Sequence, residues 1–131
     1  MINYNQTMPS LKAKKLIPLE EQEQMKFVSW LRVKKIRHIH IANERMCSVV
    51  YKKKLKALGT YAGFPDLMIF LPNKILFIEM KRSDKRLSRV TKQQKEWIDF
   101  LDIWSENLYS VSTAKVCYGA SEAIEFVKEN L

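Results

Sequence analysis

Asp66, Glu79 and Lys81 stand at the ends of two short apolar runs. Pro65-Asp66 precedes Leu67-Met68-Ile69-Phe70-Leu71, and Glu79-Met80-Lys81 follows Ile75-Leu76-Phe77-Ile78. Runs of that kind form strands that bury what they carry. A carboxylate or a lysine there is costly unless it binds a partner or a cation. If the runs fold back on each other about Pro72-Asn73, Leu71 faces Lys74, Phe70 faces Ile75 and Asp66 faces Glu79. Directly opposed residues of antiparallel strands share a face, with β-carbons ~4.5–5.5 Å apart. Strand alternation brings Lys81 to the same face. Proline fits poorly into the favoured two-residue turns, which need a positive φ at their first position. A longer loop with a slipped register is therefore the competing expectation.

Two carboxylates at that distance repel unless a cation lies between them. Their oxygens select a hard ion, Mg2+ or Mn2+, and the backbone carbonyl of Met80 offers one more oxygen. Such an ion polarises a phosphate and stabilises its leaving oxygen. Lys81, drawn in by the same carboxylates, is suited to orient or deprotonate an attacking water. Glu20, at the start of the first expected helix, is the candidate fourth group, with Glu21 and Glu23 as rivals. Each signal alone has a plainer explanation. Glu-x-Lys is often a solvated ion pair, and acids at a helix start are usually partners of its dipole. Together, in a chain with 23 Lys and Arg against 14 Asp and Glu, they favour cleavage of a phosphate backbone.

The net charge of +9 over 131 residues points to a polyanion, most simply DNA, with an anionic membrane surface as the competing partner. No stretch approaches the ~20 apolar residues of a spanning helix, and no apolar signal-peptide core opens the chain. The expected location is the cytoplasm, with no membrane partner. Cys47 and Cys117 are expected as free, buried thiols. The length fits a single domain over 19–131, preceded by a basic arm over 1–18 that carries Lys12, Lys14 and Lys15. The chain has no glycine-rich phosphate loop, and no small-molecule cofactor is expected. His38-x-His40 with either cysteine fits no standard zinc spacing.

The elements that must position this chemistry alternate along the chain. Glu20, Glu21 and Glu23 open a helix over 20–36 with Met25, Phe27, Val28, Trp30 and Leu31 as its apolar stripe. His38 to Ile41 alternates as a strand does. Ser48 to Leu58, closed by Gly59, reads as a strongly basic helix. Its Lys52, Lys53, Lys54 and Lys56 are candidates for phosphate contacts, as are Arg82, Lys85, Arg86, Arg89 and Lys92 after the second strand. Thr91-Lys92-Gln93-Gln94 has the form of a capping box opening a helix to about Trp104, which buries Trp97, Ile98, Leu101 and Trp104. Tyr61 and Phe64 are read as packing residues, with DNA contact as the alternative. A strand falls within 109–118, its core at Lys115 to Tyr118, and Ser121 caps a last helix. This order predicts an α/β fold with a mixed central sheet flanked by helices.

On these residues the chain resembles the PD-(D/E)XK nucleases and, within them, the VRR-NUC (virus-type replication-repair nuclease) family in its small stand-alone phage and bacterial form. The resemblance covers nearly all of 19–131. Glu20 and Gln24 with Val28, Trp30 and Leu31 look like the family's first helix, and Asn43-Glu44-Arg45 looks like its Asn-containing loop. Leu55 to Gly59 with Gly63-Phe64-Pro65-Asp66-Leu67 is similar to its PDL segment. Glu79-Met80-Lys81 matches E-x-K, and Leu87-Ser88 with Gln94-x-x-Trp97 resembles the start of the next helix. Arg89 to Gln93 departs from the pattern as a short insertion, so Gln93 competes with Gln94. The resemblance implies a restriction-endonuclease-like core and a divalent-metal phosphodiesterase leaving 5′-phosphate and 3′-hydroxyl ends. It implies Asp66 and Glu79 as metal ligands, Glu20 orienting the metal and its water, Lys81 acting on the nucleophile and Gln94 lining the site. It also implies a homodimer acting on branched DNA, such as Holliday junctions, in a bacterial or phage-infected cell. The rival expectations are a catalytically silent basic DNA-binding module and a restriction-like or general DNA nuclease.

Overall fold

Ile75 to Ile78 is apolar on both faces, as a central strand requires, and it lies in the interior of a four-stranded sheet. The computed structural model describes residues 16–41, 48–106 and 112–131. The basic arm's lysines, the Asn43-Glu44-Arg45 loop, Cys47 and the segment around Tyr109 fall outside the described residues. The elements are α1 (Glu20–Val33), β1 (Arg37–His40), α2 (Val49–Ala57), β2 (Leu67–Leu71), β3 (Lys74–Lys81), α3 (Lys92–Glu106), β4 (Ser112–Tyr118) and α4 (Ala120–Asn130). A short 3-10 turn at Lys85–Leu87 precedes α3. The sheet order is β1-β2-β3-β4. β1 and β3 each run antiparallel to β2, whereas β4 runs parallel to β3. A parallel neighbour needs a long crossover, and α3 supplies it. This is the expected α/β architecture, a mixed sheet between helices, of the restriction-endonuclease-like kind.

The hairpin keeps its direct register. Leu71 pairs with Lys74, Phe70 with Ile75 and Leu67 with Ile78. The longer loop that Pro72 would favour does not form, and neither Pro72 nor Asn73 takes a positive φ. Alternation then sorts the side chains. Leu67, Ile69, Leu71, Leu76, Ile78 and Met80 pack with Phe27 and Leu31 of α1 and with Ala123, Phe126 and Val127 of α4. Phe77 and Ala114 turn to the other face and meet Leu101 and Ile98 of α3. Asp102 of α3 also accepts the Ala114 N–H at 2.8 Å, which ties the helix to strand β4.

Helix ends explain most departures from expectation. α1 stops at Val33 rather than Ile36 because Lys35 takes a left-handed φ of 57°. The Lys35 and Ile36 N–H groups then bond back to Arg32 and Leu31, a Schellman closure made without glycine. α2 closes in the same way at Gly59, and Ser48 caps its start by accepting the Tyr51 N–H at 3.1 Å. Gly119 stands at the N-cap position of α4, and Ser121 lies inside the helix. Met25 (58% exposed) and Trp104 (46%) lie off the buried stripes to which periodicity assigned them, because the sheet covers only a narrow arc of each helix. Among the described residues, no helix is long and apolar enough to cross a membrane.

Gly63 (φ +86°) brings the loop before Asp66 hard against the start of α3. A β-carbon there would lie 2.7 Å from backbone atoms of Gln93 and Gln94. Gly59 is also left-handed, but nothing lies within 4 Å of its missing β-carbon. Gly59→Ala should therefore cost about 1 kcal/mol, from its φ alone. Gly63→Ala should cost about 3 kcal/mol, because backbone must move. Equal losses in urea unfolding would mean that the loop does not bear on α3.

Candidate active site

Asp66 lies one residue before β2, where its carboxylate can cross to the neighbouring strand. Its Oδ2 accepts the Met80 N–H at 2.9 Å, and its carbonyl accepts the Ile41 N–H at 2.7 Å. The residue is thus bracketed by the ends of β1 and β3. Glu79 and Lys81 share the face of β3 that carries Phe77, the face covered by α3. Asp66, Glu79, Lys81 and Gln94 are all buried, Glu79 to within 1% of full enclosure. Lys81 Nζ lies 3.7 Å from Glu79 Oε1. Gln94 Nε2 donates to the same oxygen.

The capping box decides how Gln94 reaches Glu79. Gln94 Oε1 accepts the Thr91 N–H at 2.9 Å, and Thr91 Oγ1 accepts the Gln94 N–H at 3.2 Å. With its oxygen engaged at the helix start, the amide can present only its NH2 to the carboxylate. Gln93, the alternative, is exposed on the helix surface.

Burial pushes the Glu79 carboxyl up to about 8. The Asp66 charge adds to this, the Lys81 ammonium opposes it, and the hydrogen bond to Asp66 and the charge of Glu20 raise it further. Excess negative potential therefore converges on one oxygen pair. The donors are carboxylate oxygens, a chemistry that fits Mg2+ or Mn2+. No group of three or more His, Cys, Asp or Glu side chains is gathered closely enough to hold a metal among the described residues. Two carboxylates suffice for Mg2+, which typically keeps several waters and takes its remaining oxygens from phosphate.

The three first-turn acids of α1 separate by environment. The charge of Glu20 reaches Glu79, and Glu21 is exposed. Glu23 is 7% exposed and accepts the Ala120 N–H, capping α4. That structural role was missed in sequence, although Glu23, Phe27 and Leu31 recur at helical spacing and mark one buried stripe. The basic candidates also divide. Lys52, Lys53, Lys54 and Lys56 are exposed along α2, which buries none of its residues, and Lys85, Arg89 and Lys92 are exposed as well. Arg82 instead bonds the carbonyls of Ile17 and Pro18 at 2.8 and 3.1 Å. Arg86 pairs with Asp84 at 2.7 Å, which holds the Asp84 carboxyl below its ordinary range. Cys117 is a free, buried thiol pushed up to about 12 by burial. His40 Nδ1 lies 3.0 Å from the Asp66 carbonyl, a backbone role rather than a metal one.

The family model described as VRR-NUC domain matches residues 11–120. A solved structure described as "VRR_NUC domain protein" has a similar fold, with a TM-score of 0.65 and 24% sequence identity over 86% of this chain and 87% of that one. No curated protein matches the chain.

Glu79 holds its proton more tightly folded than unfolded. Metal-free protein should therefore lose stability as pH rises from about 4.5 to about 8. Chemical denaturation in EDTA should show this slope in the wild type and not in Glu79→Gln, with a difference on the order of a few kcal/mol across the window. Parallel slopes would mean that Glu79 is ionised throughout. On α1, Glu23→Ala should cost about 2 kcal/mol by exposing a buried donor. Glu20→Ala should stay within about 0.5 kcal/mol, and the opposite ranking would exchange their roles.

Proposed function

The chain belongs to the VRR-NUC family of the PD-(D/E)XK nucleases, and on that premise we propose that it is a divalent-metal-dependent endodeoxyribonuclease acting on branched DNA such as four-way junctions. The observation that carries this reading is the enclosed Asp66–Glu79–Lys81 group with Gln94 bonded to it. A fold gains no stability from burying such a group without use.

Asp66 and Glu79 would hold the cation, with the Met80 carbonyl as a further oxygen and Glu20 as the group nearest to orient its water. When bound, the ion polarises the scissile phosphate and stabilises the charge on the leaving oxygen. The Met80 N–H fixes the direction of the Asp66 carboxylate, and Gln94 does the same for Glu79. Lys81 acts on the attacking water, orienting it or taking its proton as the water adds to phosphorus. The bond to the 3′ oxygen breaks, leaving 5′-phosphate and 3′-hydroxyl ends. The exposed lysines of α2, with Lys85 and Arg89, hold flanking phosphates and carry no sequence preference. In a homodimer, two such sites related by a two-fold axis meet two strands of one junction.

The test uses matched labelled substrates: a four-way junction, a flap, a linear duplex and a single strand, each with Mg2+, with Mn2+ and with EDTA. Cutting should be confined to the branched forms and vanish in EDTA. Asp66→Ala should slow it by about a thousandfold or more while leaving DNA affinity largely intact. Cutting of every substrate alike would remove the branch preference. Tight binding without cutting in either metal would leave a silent DNA-binding module.

A further inference from the structure

A groove of about 850 Å3 runs between α2, the loop at Thr60 to Gly63 and the start of α3. Its volume falls within the ~300–1,000 Å3 range of small-molecule sites. One wall is aromatic. Tyr61 packs edge-on to Trp97 at 6.0 Å, and Trp97 edge-on to Phe100 at 5.9 Å. Trp97 is anchored from below by Phe64 at 5.0 Å. Tyr61 and Phe100 nevertheless remain 58% and 55% exposed. Lys52 and Lys56 also line the groove. Glu96 also reaches the groove, and Lys92 lies 4.0 Å from its carboxylate. Gln94 lines the groove and donates to Glu79, so the groove opens within one side chain of the carboxylates.

We propose that this groove takes the base of an unpaired nucleotide next to the scissile phosphate, stacked on Tyr61 and Phe100, with its flanking phosphates on Lys52 and Lys56. The inference rests on the nuclease reading above and names what that site selects. Exposed aromatic residues and cations lining one groove match a nucleotide, which presents a flat apolar face and an anion together. A duplex offers no free base face, because each base is covered by its neighbours. Free faces occur where bases are unpaired, as in flaps and single strands. Base faces stack without regard to sequence, so selection here is for unpairing rather than for a motif.

The experiment measures binding of the Asp66→Ala protein in Mg2+ by fluorescence anisotropy, to a flap, a single-stranded oligonucleotide and a linear duplex. It is repeated with Tyr61→Ala/Phe100→Ala added. The added pair should weaken binding to the flap and the single strand by about 5- to 100-fold and duplex binding by less than about twofold. Tyr61→Phe should restore its share, because it keeps the ring. Tyr61→Leu, which keeps apolar bulk without a ring face, serves if the double variant does not fold, and should lose binding as Tyr61→Ala does. Equal loss on all three substrates would make the groove a general backbone track and overturn the proposal. Unchanged DNA binding with a dimer turned to monomer in sedimentation would give the groove to a second copy of this chain. Unchanged binding together with intact metal-dependent cutting by the otherwise wild-type double variant would remove the groove and leave the nuclease standing. Failure of the Asp66→Ala protein to bind any DNA would remove both.

Discussion

Everything in this molecule depends on the pairing of β2 with β3. The same two strands carry the core on one face and the charged group at the end of the other. In the observed register, Leu67 opposes Ile78, and the Met80 N–H meets the carboxylate of Asp66. A slip of one residue would send Glu79 and Lys81 into the layer of Ile78 and Met80, and would turn Ile78 toward α3. Neither layer would accept the exchange. Leu67, Ile69, Leu76, Ile78 and Met80 are fully enclosed. Their shared burial opposes the slip, and so fixes the spacing of charges that repel each other.

α3 completes what the hairpin begins. Gln94 closes the helix's own capping box and, through the other end of the same amide, bonds Glu79. The start of the helix is therefore located by the carboxylate, and the carboxylate by the helix. Gly63 tightens the arrangement, because its missing β-carbon lets the chain before Asp66 lie against the first turn of α3. The parts that meet at the site come from three separate stretches of sequence: Asp66, Glu79 with Lys81, and Gln94.

Much of this was legible in the residues. The two apolar runs gave the hairpin, and counting outward from Pro72-Asn73 put Asp66 opposite Glu79. Thr91 and Gln94 announced their helix start. Other features depended on distant partners. Lys35 carries no local sign that it would adopt a left-handed conformation, and Ile36 is drawn out of the helix toward the core. Ser121 lost its capping role to a carboxylate from α1 that is remote in sequence. Periodicity gave the stripes of α1 and α3 but not their width, so Met25 and Trp104 were assigned to a core that ends before them. Trp97 fitted a core helix by spacing. Only the folded chain shows that its neighbours Tyr61 and Phe100 line a groove and stay more than half exposed there.

Helix α2 is held by its caps and buries none of its residues. Substitutions along it meet water rather than a packed interior, so most are nearly neutral for folding. The carboxylates, by contrast, are bound into the sheet and tolerate almost no change. The polypeptide thus separates a group that is fixed by the sheet from a surface that can drift. Descendants of this sequence can exchange lysines for other side chains on α2, and so alter the charge that surface offers to a partner, without rebuilding the buried carboxylates.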